Sequence, residues 1–137
     1  MHIEEKRILV VDDDNSIRSL LLTVFRRRGF AVDLARHGAE ALEHIARCHY
    51  TVMLLDLMMP VMSGWEVLDK LAEIPEEKRP VVIVLTAGSD LGGLPPELVA
   101  GTVRKPFDVD LILGSVEACV AALPPPIQSE DCPPAGK

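Results

Sequence analysis

Ile8-Leu9-Val10-Val11-Asp12-Asp13-Asp14 is a run of four apolar residues that leads directly into three carboxylates. A short, unbroken apolar run is typical of a strand that is buried on both faces of a parallel sheet. The acids then lie at the carboxyl end of this strand, the edge where open α/β sheets bind ligands. Because packed carboxylates repel one another unless a cation or a proton compensates them, the stretch predicts a cation site.

A second apolar run also ends in a carboxylate. Val52-Met53-Leu54-Leu55 is followed by Asp56. If the two strands are neighbours, Asp12, Asp13 and Asp56 converge at one edge of the sheet. Mg²⁺ prefers octahedral oxygen ligands and keeps several of its waters, so two or three protein oxygens are enough to bind it. The sequence therefore predicts a magnesium site.

Two further strands end in groups that suit a phosphoryl ligand. Residues 80–85 lead into Thr86, and residues 101–104 lead into Lys105. Phosphoryl transfer depends mostly on positioning and on neutralising charge on the equatorial oxygens, and a hydroxyl and an ammonium beside a metal provide both. Together the four strand ends predict an aspartyl-phosphate site.

The order of these motifs resembles the receiver domain of two-component response regulators, of the chemotaxis-receiver kind. The matching features are the Asp12-Asp13 pair, Asp56 in a D-x-M-M-P-x-M-x-G run, Thr86-Ala87 and Lys105-Pro106-Phe107. The resemblance covers roughly residues 7 to 122 and implies a receiver domain over residues 1–123. It implies an α/β fold: a doubly wound, five-stranded parallel sheet of flavodoxin-like order 2-1-3-4-5, with helices on both faces.

The resemblance also implies a role for each acidic residue. Asp56 would accept the phosphoryl group, and Asp13 would bind Mg²⁺ directly while Asp12 assists. The backbone carbonyl of Met58 would complete the protein part of the metal shell. The expected cofactor is therefore Mg²⁺.

By the same resemblance, Thr86 and Lys105 would contact the phosphoryl oxygens, and the Lys105-Pro106 peptide bond would be cis. The phosphoryl donor would be a sensor histidine kinase or a histidine phosphotransfer protein. The outcome would be a change in contacts with a downstream protein target that the sequence does not identify. Such a domain catalyses only its own phosphorylation and dephosphorylation, so the expectation is a signalling protein and not an enzyme.

Two features depart from the family pattern. The position three before Lys105, usually an aromatic residue that takes part in the switch, is Thr102. The span from Thr86 to Lys105 is short and rich in glycine and proline, which oppose a long helix. We therefore expect the fourth helix of the family to be short, displaced or irregular, with a restart at Pro96.

Other functions remain open on the residues alone. A Mg²⁺-dependent phosphohydrolase with an aspartyl nucleophile would need a second acid two positions after Asp56, where Met58 stands. A flavodoxin-like FMN-binding protein would need an uncharged phosphate loop, whereas Asp12-Asp13-Asp14 would repel a phosphate. A receiver that no longer accepts phosphate and works as an adaptor is the third alternative, kept open by Thr102.

The composition of the chain limits the number of domains and the kinds of partner that we expect. A chain of 137 residues with 48% hydrophobic residues suits one domain with a proper core. The net charge of −7 argues against direct nucleic-acid binding, which needs clustered Lys and Arg. We expect no membrane insertion, because there is no signal-peptide pattern and no apolar run of spanning length.

Three cysteines without metal-ligand spacing do not predict a disulfide framework, so we expect a reducing, cytoplasmic setting. The Pro-rich segment over residues 124–137 has little to bury and is expected to be disordered.

On the first predicted helix, Arg18 and Leu22 fall off the apolar face and form an i, i+4 pair. This pair is a candidate contact for a helical phosphotransfer domain.

Overall fold

A computed structural model of the chain describes residues 6–88, 92–123, 128 and 131–134. This part of the chain contains five strands and four α-helices, with a helix after each of the first three strands and after the last. The strands are β1 (Arg7–Val11), β2 (Ala31–Ala35), β3 (Val52–Asp56), β4 (Val81–Thr86) and β5 (Val99–Arg104). The helices are α1 (Asn15–Arg27), α2 (Gly38–Arg47), α3 (Gly64–Leu71) and α4 (Val109–Ala121), with a 3₁₀ turn at Glu76–Lys78.

The five strands form one parallel sheet of order β2-β1-β3-β4-β5, which confirms the predicted topology. Val10 of β1 lies between Leu34 of β2 and Leu54 of β3. The chain reverses its winding direction between β1 and β3, and this reversal opens a crevice at their carboxyl ends. The topology therefore brings the residues that follow β1 next to the last residue of β3.

Alternate residues of each strand face opposite sides of the sheet, so the core has two layers. Leu9 and Val11 point into the layer under α2 and α3, which includes Val67 and Leu71. Ile8 and Val10 point into the layer under α1 and α4. Burial on both faces explains the unbroken apolar runs Ile8–Val11 in β1, Val52–Leu55 in β3 and Val81–Leu85 in β4.

The connection from β4 to β5 contains no helix within residues 87–88 and 92–98, the part of it that the structure describes. One turn closes there, since the amides of Leu98 and Val99 both donate to the carbonyl of Pro95, at 3.1 and 3.0 Å. Leu98 is buried and, with Leu94, packs against the α2–α3 layer. These side chains cover the sheet in place of a helix, so the predicted irregularity is confirmed for the described residues. The predicted restart of a helix at Pro96 is wrong, because residues 96–98 form only a turn that closes on the Pro95 carbonyl.

The expectation of an exposed Arg18–Leu22 pair on α1 is wrong. Arg18 is only 9% exposed, and Leu22 packs against the α1–α4 layer of the core. The apolar face of α1 is wider than one stripe because α1 contacts both β2 and α4. The exposed large apolar residue of this helix is Leu20, at 44% exposure.

The expectation of no disulfide is also wrong, because Cys48 and Cys132 are bonded across 84 positions of sequence. Gln128, Cys132 and Pro133 contact the domain, as described below. Residues 124–127, 129–130 and 135–137 of the predicted disordered segment lie outside the described residues. No described helix has both the length and the apolar character that crossing a bilayer requires.

Candidate functional site

The carboxyl ends of β1, β3, β4 and β5 meet in one crevice. Asp12 follows β1, Asp56 ends β3, Thr86 ends β4 and Lys105 follows β5. Parallel pairing places these strand ends side by side, so four residues far apart in sequence share one site. Each was predicted as a site residue from its position after an apolar run.

Asp12 is fully buried and is held from several directions. Its amide donates to the carbonyl of Ala35 at 3.1 Å, and its Oδ1 accepts a hydrogen bond from the amide of Asp14 at 2.9 Å. Its Oδ2 forms an ion pair with Lys105 Nζ at 2.8 Å. Asp12 and Asp56 share this ammonium and Asp13 lies beside them, so the acids are in excess and favour a bound cation.

Asp12, Asp13 and Asp56 can each offer one oxygen so that these oxygens lie within 4.8 Å of one another. Asp13 is exposed, whereas Asp12 and Asp56 are buried, so the group is accessible to solvent on the Asp13 side. Hard oxygen ligands with one open side fit Mg²⁺, which keeps several waters. The excess of acids over the ammonium that Asp12 and Asp56 share supports the same fit. The role predicted for the Met58 carbonyl stays a prediction.

The Asp56 carboxyl group is 5% exposed and lies 3.5 Å from Lys105 Nζ, while its Oδ1 accepts a hydrogen bond from the amide of Met58 at 3.2 Å. Burial, followed by the charge of Asp12, raises the pKa of Asp56 to about 6. Lys105 and the Met58 amide act in the opposite direction but do not cancel these effects. Asp56 is therefore a carboxylate of unusually high basicity, which favours nucleophilic attack once it is ionised.

Lys105 is the positive group of the crevice. Burial alone would lower the pKa of Lys105, but the hydrogen bond and charge of Asp12, followed by those of Asp56, outweigh burial and raise it. The ammonium therefore stays charged beside the two acids. Its backbone is fixed as well, because the Lys105 amide donates to the Thr86 carbonyl at 2.8 Å and the Lys105–Pro106 bond is cis, as predicted.

Thr86 is 4% exposed at the end of β4. Its hydroxyl oxygen accepts a hydrogen bond from the amide of Gly88 at 3.0 Å. The hydroxyl hydrogen remains available as a donor, since a hydroxyl both accepts and donates. On the neighbouring strand, Thr102 is exposed, so no aromatic ring stands at that position of β5.

Two residues that support the site were missed by the sequence analysis. Arg18 donates from Nη1 to the carbonyl of Asp12 at 2.7 Å and from Nη2 to Oδ1 of Asn15 at 3.1 Å. The signal for it was its place in the first turns of α1, because helical side chains point back toward the helix N-terminus and reach the strand end. Gly64 begins α3 so close to the Asp56 carbonyl that an added Cβ would overlap that atom and approach the Cα of Leu57 to 2.8 Å.

Comparisons with known proteins agree on one family. The family model described as "Response regulator receiver domain" matches residues 8–117. Sporulation initiation phosphotransferase F of Bacillus subtilis is 35% identical over 115 residues, which are 82% of this chain and 91% of that protein. The transcriptional regulatory protein ResD of the same organism is 38% identical over 117 residues, 83% of this chain and 48% of ResD.

Solved structures give the same result. The response regulator TrrA of Thermotoga maritima, in complex with Mg²⁺-BeF, matches with a TM-score of 0.73 and 35% identity, over 83% of this chain and 98% of that one. A receiver domain from Francisella matches with a TM-score of 0.76 and 28% identity, over 85% of this chain and 98% of that one. Among the curated relatives, the chain spans 23% of the regulatory protein AtoC of Escherichia coli and about half of ResD.

Proposed function

The chain belongs to the response regulator receiver family of two-component signalling, and we propose that it accepts a phosphoryl group on Asp56 in a Mg²⁺-dependent reaction. The observation that carries this proposal is the pairing of a buried, basic Asp56 with the Lys105 ammonium at 3.5 Å, beside two further acids. The Mg²⁺-BeF complex of the similar TrrA supports the choice of ligands.

In the proposed reaction, an ionised Asp56 oxygen attacks the phosphorus of a phosphohistidine on a sensor kinase or a histidine phosphotransfer protein. A P–O bond forms, the P–N bond breaks, and the departing ring nitrogen keeps the bonding electrons and takes a proton. Lys105 then exchanges its contacts with Asp12 and Asp56 for a phosphoryl oxygen, and the Thr86 hydroxyl donates to another. Both contacts neutralise oxygen charge where it develops.

Asp12, Asp13 and Asp56 would hold Mg²⁺, and the Met58 carbonyl would complete the set of protein ligands. Bound Mg²⁺ would neutralise phosphoryl charge and relieve the repulsion among the acids. Asp12 contributes by orienting Lys105. Arg18 in turn fixes the Asp12 backbone by donating a hydrogen bond to its carbonyl. The acids therefore act on the reaction through charge and position, and Asp56 alone forms a covalent bond.

The proposed output is a change in protein contacts, in the cytoplasm, toward a target that the site itself does not specify. A phosphohydrolase is disfavoured because Met58, whose side chain is 74% exposed and carries no acid, stands where that class needs a second carboxyl group. Some curated relatives, such as ResD, are longer proteins described as transcriptional regulators, but that description applies to them.

The direct test uses a small acyl phosphate with Mg²⁺ and intact-mass analysis. The wild type should gain the mass of one phosphoryl group, and the gain should be lost with EDTA. Asp56→Asn should gain nothing, whereas Asp69→Asn, which changes an exposed acid of α3, should react as the wild type does. Full labelling of the Asp56→Asn variant, or none of the wild type, would refute the proposal.

A further inference from the structure

The amino edge of the sheet, opposite the phosphoryl site, holds the described residues near the C-terminus. We refer to residues 128 and 131–134 as the C-terminal strap. We propose that Cys48 and Cys132 are a reversible redox pair that controls whether this strap is docked on the domain. The inference concerns the opposite edge of the sheet and does not depend on phosphorylation of Asp56.

The strap is attached at three places. Cys132 is bonded to Cys48, the residue that follows α2. The Gln128 side chain pairs with the backbone of His49: its Oε1 accepts from the His49 amide and its Nε2 donates to the His49 carbonyl, both at 2.6 Å. Nη2 of Arg7 donates to the carbonyl of Pro133 at 2.8 Å.

The two hydrogen-bonded attachments are weak without the covalent one. Each replaces a hydrogen bond that water would otherwise make, so its net contribution is small. Arg7 also forms a buried ion pair with Asp33 at 2.8 Å, in which Pro133 takes no part. The ordering of a Pro-rich segment opposes docking, and the disulfide lowers that entropic cost by holding the segment close.

The disulfide is accessible to a small thiol. Cys48 is only 6% exposed, but it lines an open groove of about 440 Å³ together with Leu42, Ile45 and Ile74. Cys132 is half-buried and is the more exposed residue of the pair. The reduced state also fits the fold, because the Cys48 side chain lies in the apolar α2–α3 layer, where a thiol behaves as a small apolar group.

In the reductive direction, a thiolate of a dithiol reductant attacks Sγ of Cys132. This step forms a mixed disulfide and breaks the S–S bond, and Cys48 leaves as a thiolate that takes a proton. The second thiol of the reductant then displaces Cys132, so that two electrons and two protons have passed to the protein and the reductant has become a cyclic disulfide. Exchange with a small disulfide, such as oxidised glutathione, runs the sequence backwards.

In a reducing compartment, such as the cytoplasm of the proposed function, the thiol pool keeps a cysteine pair reduced unless oxidising conditions arise. The strap would then be free in the resting cell and docked after oxidation. Cys119 on α4 is a free thiol and is the internal control for nonspecific oxidation.

The first test measures thiol state in the native protein. Wild type equilibrated in oxidised glutathione and then alkylated should carry one adduct, on Cys119. After equilibration in a dithiol without denaturant it should carry adducts on all three cysteines. Alkylation of Cys48 or Cys132 under the oxidising condition, or their resistance to reduction until the protein unfolds, would overturn the proposal.

The second test measures docking by amide hydrogen exchange. The His49 amide should exchange roughly tenfold faster or more in the reduced wild type than in the oxidised protein. Cys132→Ser should show the fast rate under both conditions, and Cys119→Ser should follow the wild type. Equal exchange at His49 in all of these states would show that the disulfide does not control docking. Phosphorylation of Asp56 by the acyl phosphate should be the same in both redox states, so this inference and the proposed function fail separately.

Discussion

At the scale of single residues, the buried Asp56 carboxyl group lowers the free energy of unfolding when it is ionised and no metal is bound. Burial and the charge of Asp12 raise the pKa of Asp56 from 3.8 to about 6. Between these two values the folded protein holds a proton that the unfolded chain has already released. The free energy of unfolding therefore falls as pH rises through this window, since the unfolded state binds fewer protons.

We predict that Asp56→Asn removes this part of the pH dependence. In EDTA, the variant should be more stable than the wild type at pH 7, and the advantage should shrink as pH falls below the Asp56 pKa toward 4. Urea unfolding across this pH range measures the free energy of unfolding of both proteins. Groups that titrate alike in the two proteins cancel when one value is subtracted from the other. Asp69→Asn should keep the wild-type profile; an Asp56→Asn profile parallel to the wild type would show that Asp56 titrates normally.

Asp13 and Asp14 are adjacent, exposed acids with opposite expected behaviour. Asp13 belongs to the metal cluster, whereas Asp14 caps α1 by accepting from the amides of Ser16 and Ile17. We predict that Asp13→Ala is no less stable than the wild type in EDTA but gains nothing from Mg²⁺, because one acid of a repelling group is lost together with the site.

Asp14→Ala should lose about 0.5–2 kcal/mol of unfolding free energy as a cap deletion but keep the full stabilisation by Mg²⁺. That stabilisation is about 2.7 kcal/mol at a metal concentration one hundred times Kd. Thermal or urea unfolding with and without Mg²⁺ gives both values. A wild-type response to Mg²⁺ in Asp13→Ala would place the metal elsewhere.

At the scale of elements, α3 packs closely against the end of β3 because Gly64, its first residue, has no side chain. A Cβ on Gly64 would overlap the Asp56 carbonyl, and the obstacle is backbone that cannot rotate away. Gly64→Ala should therefore lower the unfolding free energy by about 1–3 kcal/mol and slow phosphorylation of Asp56.

The matched control is Gly114→Ala in α4, where an added Cβ meets nothing within 4 Å. An alanine in a helix interior should raise the unfolding free energy by about 0.5–1 kcal/mol and leave phosphorylation unchanged. Urea unfolding and the acyl-phosphate assay measure both variants. Equal behaviour of the two would mean that the close contact at Gly64 does not constrain Asp56.

The β4–β5 connection is the element where a signal should appear. Thr102 has no ring to fill space when the Thr86 hydroxyl moves, and residues 92–98 form turns and no helix. Segments with few regular hydrogen bonds rearrange at low cost. With the phosphoryl mimic beryllofluoride and Mg²⁺, the largest change in amide exchange away from the site should fall within residues 92–101. An unchanged rate there, with a change in α4 instead, would show that the signal takes another route.

Most elements of the fold were predictable because their signals are local. β1 and β3 contain unbroken apolar runs, and α1 and α3 are capped by Asp14 and Ser63, residue types that favour the N-cap position. β5 was placed at 101–104, but the strand begins at Val99, since Val99 also pairs with Val82 across a register shift between Val82 and Ile83 of β4. Such a shift has no sequence signal of its own.

At the scale of the whole molecule, the features that were missed depend on distant partners. The burial of Arg18 depends on the backbone of Asp12, and the pairing of Cys48 depends on a cysteine 84 positions away. The spacing of apolar residues predicts which face of a helix or strand is buried, but it does not predict which distant residue will contact a given side chain. The cluster of Asp12, Asp56, Thr86 and Lys105 was easier to infer because parallel strands bring their ends together whenever the sheet forms.

The Cys48–Cys132 bond joins the end of α2 to the C-terminal strap and should therefore affect global stability. Closing a loop of 84 positions restricts the unfolded chain, and such a restriction typically contributes about 2–4 kcal/mol. Cys132→Ser should lower the unfolding free energy by this amount relative to the oxidised wild type. A dithiol should lower the wild type to the level of the variant and leave the variant unchanged. Cys119→Ser should retain the response to the dithiol, because its disulfide is intact. Urea unfolding under both conditions provides the measurement, and a Cys132→Ser midpoint equal to that of the oxidised wild type would show that the bond does not stabilise the fold.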